Sequence, residues 1–292
     1  MLALNWALTM RNRYAVILGL HDRDVSLAGV QTQKMDLGSI DHLVNSLEAL
    51  QPEIVIHTAG LTNVDECESK PDMARHINIE LAANVARACT KLRLQLVHIS
   101  TDHLFSGNGS LLDELHPVSP INTYGQTKAE AEIRILEIHP RAIVIRTNFY
   151  GWGPSYRRSF SDVIIDSLCS ERELTLFQDV FYTPILIETA VQVVHELINL
   201  GSSGIFNVVG DDRISKFDFG LKIAKEFNLD TRLIKPIYMS NQKSLVQRPH
   251  DMSLSNKKVC TLLGKQLGGV DEHIALLHQQ KQRGLAKEII KL

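Results

Sequence analysis

The sequence predicts an α/β protein built on a doubly wound, mostly parallel sheet of the Rossmann type. Short apolar runs that are typical of strands alternate with segments of helical periodicity over the first half of the chain. These runs are continuously apolar, as strands must be when helices cover both faces of a parallel sheet. The strands and helices also alternate at the spacing of βαβ units, which favours this fold class.

The elements follow one another regularly up to about residue 150. Strands are predicted over residues 14–20, 53–58, 94–99 and 142–146, and helices over 40–50, 72–91 and 127–138. Beyond this point the rhythm loosens, and we predict helices over 187–200 and 216–227 and a strand over 204–208. We therefore expect an NAD(P)-binding domain over residues 1–150 and, interleaved with it, a smaller substrate-binding part over residues 151–292.

The beginning of the chain departs from this fold. A doubly wound nucleotide-binding domain normally opens with a strand, a glycine-rich turn and a helix whose N-terminus faces a pyrophosphate. Leu2, Trp6 and Ala7 have near-helical spacing, and we interpret them as the remainder of that first helix. No strand and no GxxGxxG precede them. Either the start is truncated or misassigned, or the protein never had these elements; we favour truncation because the rest of the chain fits the longer pattern.

Composition excludes several classes of function. The formal net charge is −2, and no basic run is present that would favour a nucleic-acid partner. The four cysteines lack CxxC spacing and the histidines lack HxH or HxxxH spacing, so we predict no metal site. No stretch approaches ~20 apolar residues, and the N-terminus lacks the pattern of a signal peptide. We therefore expect no membrane association and a cytoplasmic location.

Tyr124 and Lys128 form a YxxxK motif at the predicted start of a helix. Residues four positions apart share one face of a helix, so both side chains can point into one cleft. A neighbouring ammonium stabilises a phenolate, and we expect Lys128 to lower the pKa of Tyr124 from its usual value near ~10. Such a tyrosine can protonate an alkoxide as a hydride reaches the carbonyl carbon. An ordinary amphipathic helix is the alternative for the motif taken alone.

Ser100, Thr101 and Asp102 directly follow the predicted strand over 94–99. Ligands of parallel α/β sheets bind beyond the carboxyl ends of the strands. A hydroxyl at that place can polarise a substrate carbonyl, although a simple turn or helix cap is also compatible with this tripeptide. Together with the YxxxK motif, it favours a catalytic site.

Four segments resemble the extended short-chain dehydrogenase/reductases and, among them, the dTDP-4-dehydrorhamnose reductase group. They are HISTDHLFSGN, YGQTKAEAE, VIRTNFYGWG and RPHDMSLSNKKV, and the resemblance extends from about residue 14 to residue 265. It implies an oxidoreductase that reduces a nucleotide-linked 4-keto sugar with hydride from NADPH or NADH. It also implies that Thr101, with Ser100 beside it, Tyr124 and Lys128 are catalytic.

The resemblance implies further contacts with the cofactor. Asp22 favours NAD and Arg23 favours NADP, so the cofactor preference stays open. Asp36 resembles a residue that contacts adenine, with a helix N-cap as the alternative. His57, Ala59 and Gly60 belong to a turn that lines the adenosine side, where His57 replaces the usual asparagine. Asn78 resembles an asparagine that braces the helix of the active site, and Thr62, Asn63 and Val64 are expected over the cofactor.

On the substrate side, the resemblance implies contacts with the sugar nucleotide by five residues. They are Asp102, His103, Asn148, Phe149 and Arg248. His103 stands where many relatives have a tyrosine, and this difference can alter the fit of the sugar. A guanidinium matches phosphate oxygens, so Arg248 is a candidate for the diphosphate, with a surface salt bridge as the alternative.

Two other functions stay open. A non-catalytic binding or regulatory protein, such as the β subunit of methionine adenosyltransferase, has the same fold, and the missing glycine-rich loop favours this alternative. A related epimerase or dehydratase is the other, although dehydratases commonly place Asp-Glu after the threonine, where this chain has Asp102-His103. A homodimer is common in the family, but the sequence contains no apolar stripe that requires one. The particular sugar and nucleotide are not identified by the sequence.

Overall fold

A computed structural model describes residues 1–242 and 246–292 and confirms the α/β class. The helices are α1 Leu2–Met10, α2 Ile40–Leu50, α3 Val64–Ser69, α4 Pro71–Arg75, α5 Leu81–Leu92, α6 Thr123–Ile138, α7 Phe160–Cys169, α8 Ile187–Asn199, α9 Lys216–Glu226, α10 Lys257–Leu263, α11 Val270–Gln282 and α12 Leu285–Ile290. The strands are β1 Ile17–Leu20, β2 Gln31–Lys34, β3 Ile54–His57, β4 Gln95–Ile99, β5 Ile143–Arg146, β6 Phe149–Tyr150, β7 Leu174–Phe177, β8 Phe181–Tyr182, β9 Ile185–Leu186, β10 Gly204–Asn207, β11 Ile214–Ser215 and β12 Ile234–Ile237.

The central sheet has four parallel strands in the order β10-β5-β4-β3. Strand β5 is entirely buried, as expected for an inner strand with helices on both faces. The strand β10 comes from the second half of the chain and extends the sheet of the first half. Because all four strands are parallel, their carboxyl ends lie at one edge, where the candidate residues follow β3, β4 and β5.

Two layers of helices cover this sheet. On one face, apolar residues of α2 and α5 pack against β4 and α6, with the core formed by Leu43, Val44, Leu47, Ala82, Val85, Ala86, Leu96 and Ile135. On the other face, α1 and α8 pack against β4, β5 and β10 through Leu2, Trp6, Met10, Val97, Ile143, Ile145, Val191, Val194 and Phe206. Trp6 also donates a hydrogen bond to His195 Nε2 at 3.1 Å, which ties α1 to α8. The prediction of a first helix near the start of the chain is confirmed.

Strands β1 and β2 pair in parallel with each other and form a separate two-stranded sheet. Within the described parts of the chain, β1 does not pair with β3, so each of these two strands has one unpaired edge. Three of the four residues of β3 are half-buried, in contrast to β5. The sheet therefore divides between β1 and β3.

A second core lies in the later part of the chain, where α7, α9 and α11 surround an aromatic cluster. Phe219 packs edge-on against Tyr150 and Tyr182, with ring centroids 4.9 and 5.8 Å apart. The strands here form short pairs, β6 with β9, β7 with β12 and β8 with β11. A capping box of Ser159 and Asp162 begins α7, a helix that the sequence analysis missed.

Several element boundaries differ from the prediction. Helix α6 begins at Thr123, four residues before the predicted start, because Asn122 caps it. The helix predicted over 72–91 is interrupted by one turn of π-helix at His76–Glu80. In the described part of the chain, no helix combines the length and the apolarity that crossing a bilayer requires.

Candidate active site

The segment after β4 places three buried polar residues at the carboxyl end of the sheet. Ser100, Thr101 and Asp102 are all almost fully buried. The Ser100 amide donates to the Ile145 carbonyl at 2.7 Å and so extends the pairing with β5. The Thr101 hydroxyl accepts a hydrogen bond from the His103 amide at 3.2 Å, while the Ser100 hydroxyl has no partner among the described residues. These hydroxyls therefore lie in a fixed turn, where that of Ser100 is buried and has an unused hydrogen-bonding capacity among the described residues.

Helix α6 brings Tyr124 and Lys128 to this turn. The Asn122 side chain accepts a hydrogen bond from the Gly125 amide at 2.9 Å and fixes the start of the helix. A Cβ at Gly125 would collide with the carbonyl oxygen of His103, so only glycine allows α6 to approach the segment after β4 this closely. Tyr124 packs edge-on against the His103 ring, with centroids 5.5 Å apart. The structure thus brings Thr101, Tyr124 and Lys128 together.

Asn78 braces α6, as the resemblance implies. Its side chain donates to Thr127 Oγ1 and to the Leu61 carbonyl, each at 3.0 Å, and accepts from the Leu61 amide at 2.8 Å. Thr127 lies between Tyr124 and Lys128 along α6, so this network fixes the helix turn that carries both. Asn78 itself lies in the π-helical turn, which departs from regular α-helix at this point.

The expected lowering of the Tyr124 pKa is wrong for this structure. Burial raises the pKa of Tyr124 well above its usual value, although a hydrogen bond from Thr101 opposes this rise. Lys128 does not lower it, because the ammonium donates instead to His98 Nε2 at 3.1 Å and to the Ile99 carbonyl at 2.7 Å. Tyr124 therefore keeps its proton at neutral pH, and its transfer to a substrate requires a positive charge or hydrogen bonds that stabilise the phenolate left behind.

Lys128 is a buried lysine at the base of the cleft. Burial lowers its pKa to about 8, while the Glu132 carboxylate opposes this shift. An ammonium carries three N–H donors, and the described residues engage two of them. The third N–H is free for Tyr124 or for a ligand.

The substrate-side residues meet at Asp102. The Asn148 amide donates to the Asp102 carboxylate, and Phe149 begins the short strand β6 next to this pair. The structure adds Lys216, which the sequence analysis missed. Its ammonium lies 4.8 Å from the Phe160 ring centroid and 5.2 Å from that of Tyr182.

Lys216 has no carboxylate within salt-bridge distance among the described residues. Burial lowers its pKa, the Asp102 carboxylate raises it and the Arg248 guanidinium lowers it. These influences show that Lys216, Asp102 and Arg248 share one region. No sequence pattern indicated Lys216, because a lysine at the start of a helix has no distinguishing neighbours or spacing.

Arg248 forms an ion pair with Asp65, with the guanidinium 2.6 Å from the carboxylate, so it has the salt bridge that was the alternative to a diphosphate contact. A quarter of its side chain is exposed, and it faces the same region as Lys216 and His103. Arg248 is thus held in place, and its contact with a diphosphate stays a prediction.

The residues expected at the adenosine side lie at the surface. Asp22 is largely exposed beside His21, and the Arg23 guanidinium lies 4.3 Å from the Tyr156 ring centroid. Asp36 accepts a hydrogen bond from the Gly38 amide at 2.9 Å and does not cap α2. Ser39 is the N-cap. The geometry thus places no constraint on NAD against NADP.

The turn over 57–60 begins buried and ends near Asn78. His57 is almost fully buried, Ala59 is exposed, and Gly60 is half-buried. A Cβ at Gly60 would approach the Asn78 side chain closely, which favours a small residue there. Further along, Thr62 accepts a hydrogen bond from Arg157, and Asn63 caps α3, which begins at Val64. In residues 1–242 and 246–292, no three His, Cys, Asp or Glu side chains are grouped as metal ligands would be.

Comparisons with known proteins agree with the sequence resemblance. The family model described as "RmlD substrate binding domain" matches residues 14–282. The chain is 26% identical over 273 residues to the probable low-salt glycan biosynthesis reductase Agl14 of Haloferax volcanii, covering 92% of this chain and 91% of that protein. It is 27% identical to the β subunit of methionine adenosyltransferase 2 of Rattus norvegicus, covering 80% of this chain and 70% of that protein.

A solved structure supports the same relationship. The dTDP-4-dehydrorhamnose reductase of Bacillus anthracis, in complex with NADP, superimposes with a TM-score of 0.80 at 26% identity. The alignment covers 86% of this chain and 90% of that one. The structural similarity therefore covers most of both chains, including the α/β architecture.

Proposed function

Because the chain belongs to the RmlD substrate binding domain family, we propose that it is an NAD(P)H-dependent reductase of a nucleotide-linked 4-keto sugar. The observation that carries this proposal is the meeting of Thr101, Tyr124 and Lys128 at the carboxyl end of the sheet. The similarity to a dTDP-4-dehydrorhamnose reductase solved with NADP supports it. A related epimerase or dehydratase has less support, since His103 follows Asp102 in this chain.

The proposed chemistry follows from the protonation of the site. In the proposed reaction the bound cofactor supplies a hydride to the carbonyl carbon of the sugar. Tyr124 is protonated at neutral pH, as any phenol with a pKa near or above ~10 is, and it gives this proton to the carbonyl oxygen as negative charge develops there. Thr101 and Ser100 orient the same oxygen by hydrogen bonds. Lys128 keeps one N–H that the described residues do not engage, and turning this N–H toward the phenolate that remains would stabilise that anion.

The residues of the chain fit part of the cofactor. The described residues leave one N–H of Lys128 without an acceptor, and a ribose hydroxyl can accept a hydrogen bond from it. Glycine at position 60 has no Cβ, which would otherwise crowd the Asn78 side chain. We propose that the turn over 57–60 with His57, Ala59 and Gly60, together with Asp22, Arg23 and Asp36, holds the cofactor on its adenosine side. The glycine-rich turn that would hold the pyrophosphate is not in this sequence.

We propose that the substrate lies against Asp102, His103, Asn148 and Phe149, with its diphosphate near Arg248. A phosphate binds well where guanidinium and ammonium groups converge. Lys216 adds a second positive charge to this region without a carboxylate at salt-bridge distance in the described residues. We assign the cofactor side to residues 1–150 and the substrate side to residues 151–292, interleaved with the four substrate-side residues of the first part. A cytoplasmic location and a homodimer stay predictions.

Substitution of Tyr124 by phenylalanine tests the proposal. The variant keeps the ring that packs on His103 but lacks the hydroxyl, so we expect turnover to be lost while the fold is kept. Reduction of a dTDP-linked 4-keto sugar is measured by the decrease in NADPH absorbance, and the fold by circular dichroism. An active wild-type protein whose Tyr124→Phe variant retains its rate contradicts the assignment of Tyr124 as the proton donor.

A non-catalytic binding protein is the second candidate. The similarity to a methionine adenosyltransferase β subunit favours it. Isothermal calorimetry with NADPH and NADH separates the two functions. A reductase must bind one of these cofactors, so binding of neither by the folded protein favours the second candidate.

A further inference from the structure

Two histidines at the ends of neighbouring strands connect to Lys128. His57 and His98 are opposite one another in the register of β3 and β4, so their side chains lie on the same face of the sheet. Their Nδ1 atoms are 2.9 Å apart, and His98 Nε2 lies 3.1 Å from Lys128 Nζ. Both imidazoles are almost fully buried. The three side chains thus form one continuous hydrogen-bonded chain beneath the cleft.

The positive charge of Lys128 determines which nitrogen atoms donate and which accept in this hydrogen-bonded chain. A charged lysine only donates, so His98 Nε2 must be the acceptor and cannot carry a proton. The proton of neutral His98 is therefore on Nδ1, from which it is donated to His57 Nδ1. His57 in turn carries its proton on Nε2, where no described residue accepts it. Each imidazole has one assigned tautomer while Lys128 is charged.

Both histidines stay neutral in this arrangement. Burial, followed by the charge of Lys128, lowers the pKa of His57 to about 3 and that of His98 well below its usual value. A protonated imidazole at either position would lose an acceptor atom that the chain requires. The pair is therefore a neutral acceptor for the ammonium.

We propose that His98, oriented by His57, is a positioning residue that holds the Lys128 ammonium and leaves one N–H for Tyr124 or a ligand. Its consequence for catalysis rests on the proposed function, but the hydrogen-bonded chain itself does not. The Ile99 carbonyl engages a second N–H, so loss of His98 would leave the ammonium with one fixed partner instead of two. A buried ammonium with fewer partners loses its proton more easily.

The other groups around Lys128 come from four elements. Glu132 lies one turn further along α6 and raises the pKa of Lys128, but its carboxylate is engaged by Arg146 of β5. Tyr124 lies one turn earlier on α6, and His57 contributes through His98 from β3. Among the described residues, none of these groups accepts a hydrogen bond from Lys128 Nζ, whose acceptors are His98 and the Ile99 carbonyl. His98 on β4 is therefore the side chain whose removal should change Lys128 most.

Nuclear magnetic resonance of the unliganded protein tests the chain without requiring turnover. With ¹⁵N-labelled histidine, we expect His98 as the Nδ1–H tautomer and His57 as the Nε2–H tautomer, both unprotonated from pH 6 to pH 8. With ¹³Cε-labelled lysine, we expect Lys128 to titrate near pH 8. The opposite tautomer at His98, or its protonation in this range, would overturn the proposal.

Two variants of His98 separate positioning from packing. His98→Leu removes the acceptor and should lower the pKa of Lys128 by about one unit, whereas His98→Gln supplies an amide oxygen and should largely restore it. His273→Gln is the matched control. His273 is as buried as His98, but its ring donates to the Leu267 carbonyl and has no hydrogen bond to Lys128 or His98 among the described residues. An unchanged Lys128 titration in folded His98→Leu would overturn the proposal.

Where the protein turns over, the same variants report on catalysis. The ammonium is lost as the pH rises through its pKa, so kcat should fall on the alkaline side at a lower pH in His98→Leu than in wild type. We expect KM to stay nearly constant and His98→Gln to recover the wild-type profile. An inactive wild-type protein with the expected tautomers contradicts the proposed function, whereas an active one whose profile does not move contradicts the role of His98.

Discussion

Helix α6 carries two glutamate–arginine ion pairs that differ chiefly in burial. Glu132 engages Arg146 at 2.7 Å, and both side chains are at most 4% exposed. Glu130 engages Arg75 at 2.9 Å with about half of each side chain exposed. A buried charge that loses its partner is strongly destabilising, whereas solvent screens an exposed pair.

Glu132→Gln should therefore lower the free energy of unfolding by about 3 kcal/mol, since it leaves the Arg146 charge buried without a counter-charge. Glu130→Gln, two residues away on the same helix, is the matched control and should have little effect. Urea denaturation followed by circular dichroism gives both values. Equal losses of stability in the two variants would contradict the argument from burial.

Single residues also show which properties a sequence can predict. The spacing of Tyr124 and Lys128 predicted that they share one face, and the strand before Ser100 predicted that its hydroxyl lies at the sheet edge. The pKa of Tyr124 could not be predicted, because it depends on burial and on which partners engage Lys128. His98 was missed for the same reason, since its role arises from the register between β3 and β4.

At the scale of elements, the alternation of strands and helices was predicted better than the boundaries. Helix α6, which Asn122 caps, begins four residues before the predicted start. Helix α7, which Ser159 caps, was not predicted at all. Both caps depend on one side-chain hydrogen bond, which hydrophobic periodicity does not reveal. The strands β6, β8, β9 and β11 escaped prediction because each has two residues and carries no periodic signal.

Helix α9 begins with Lys216, whose charge we expect to contribute to substrate binding. Lys216→Met keeps an apolar chain against Phe160 and Tyr182 but removes the ammonium, so KM for an anionic sugar nucleotide should rise about tenfold with little change in kcat. Lys222→Met on the same helix is the control, because Lys222 is engaged by Asp271 at 2.6 Å. Steady-state kinetics measure both; equal KM values for wild type and Lys216→Met would remove Lys216 from the substrate site.

At the scale of the whole molecule, the parallel sheet exists in two parts. Strand β5 pairs on both sides, with β4 and β10, and is buried throughout. In the part of the chain that the structure describes, strand β1 pairs only with β2, whose residues are mostly exposed. Because pairing and burial both protect backbone amides, the two parts should differ in stability although they belong to one fold.

Native-state hydrogen exchange should reveal this difference. Amides of β1 and β2 are expected to exchange through local opening that depends little on denaturant, whereas amides of β5 should exchange only when the molecule unfolds globally. The measurement is mass spectrometry of peptides that cover 17–34 and 143–146 over a series of sub-denaturing urea concentrations. Trp6, hydrogen-bonded to His195, gives α1 an anchor on α8, so α1 should follow the stable part. If β1 and β5 show the same free energy and the same urea dependence of exchange, the two sheets open as one unit, and the division between β1 and β3 has no energetic consequence.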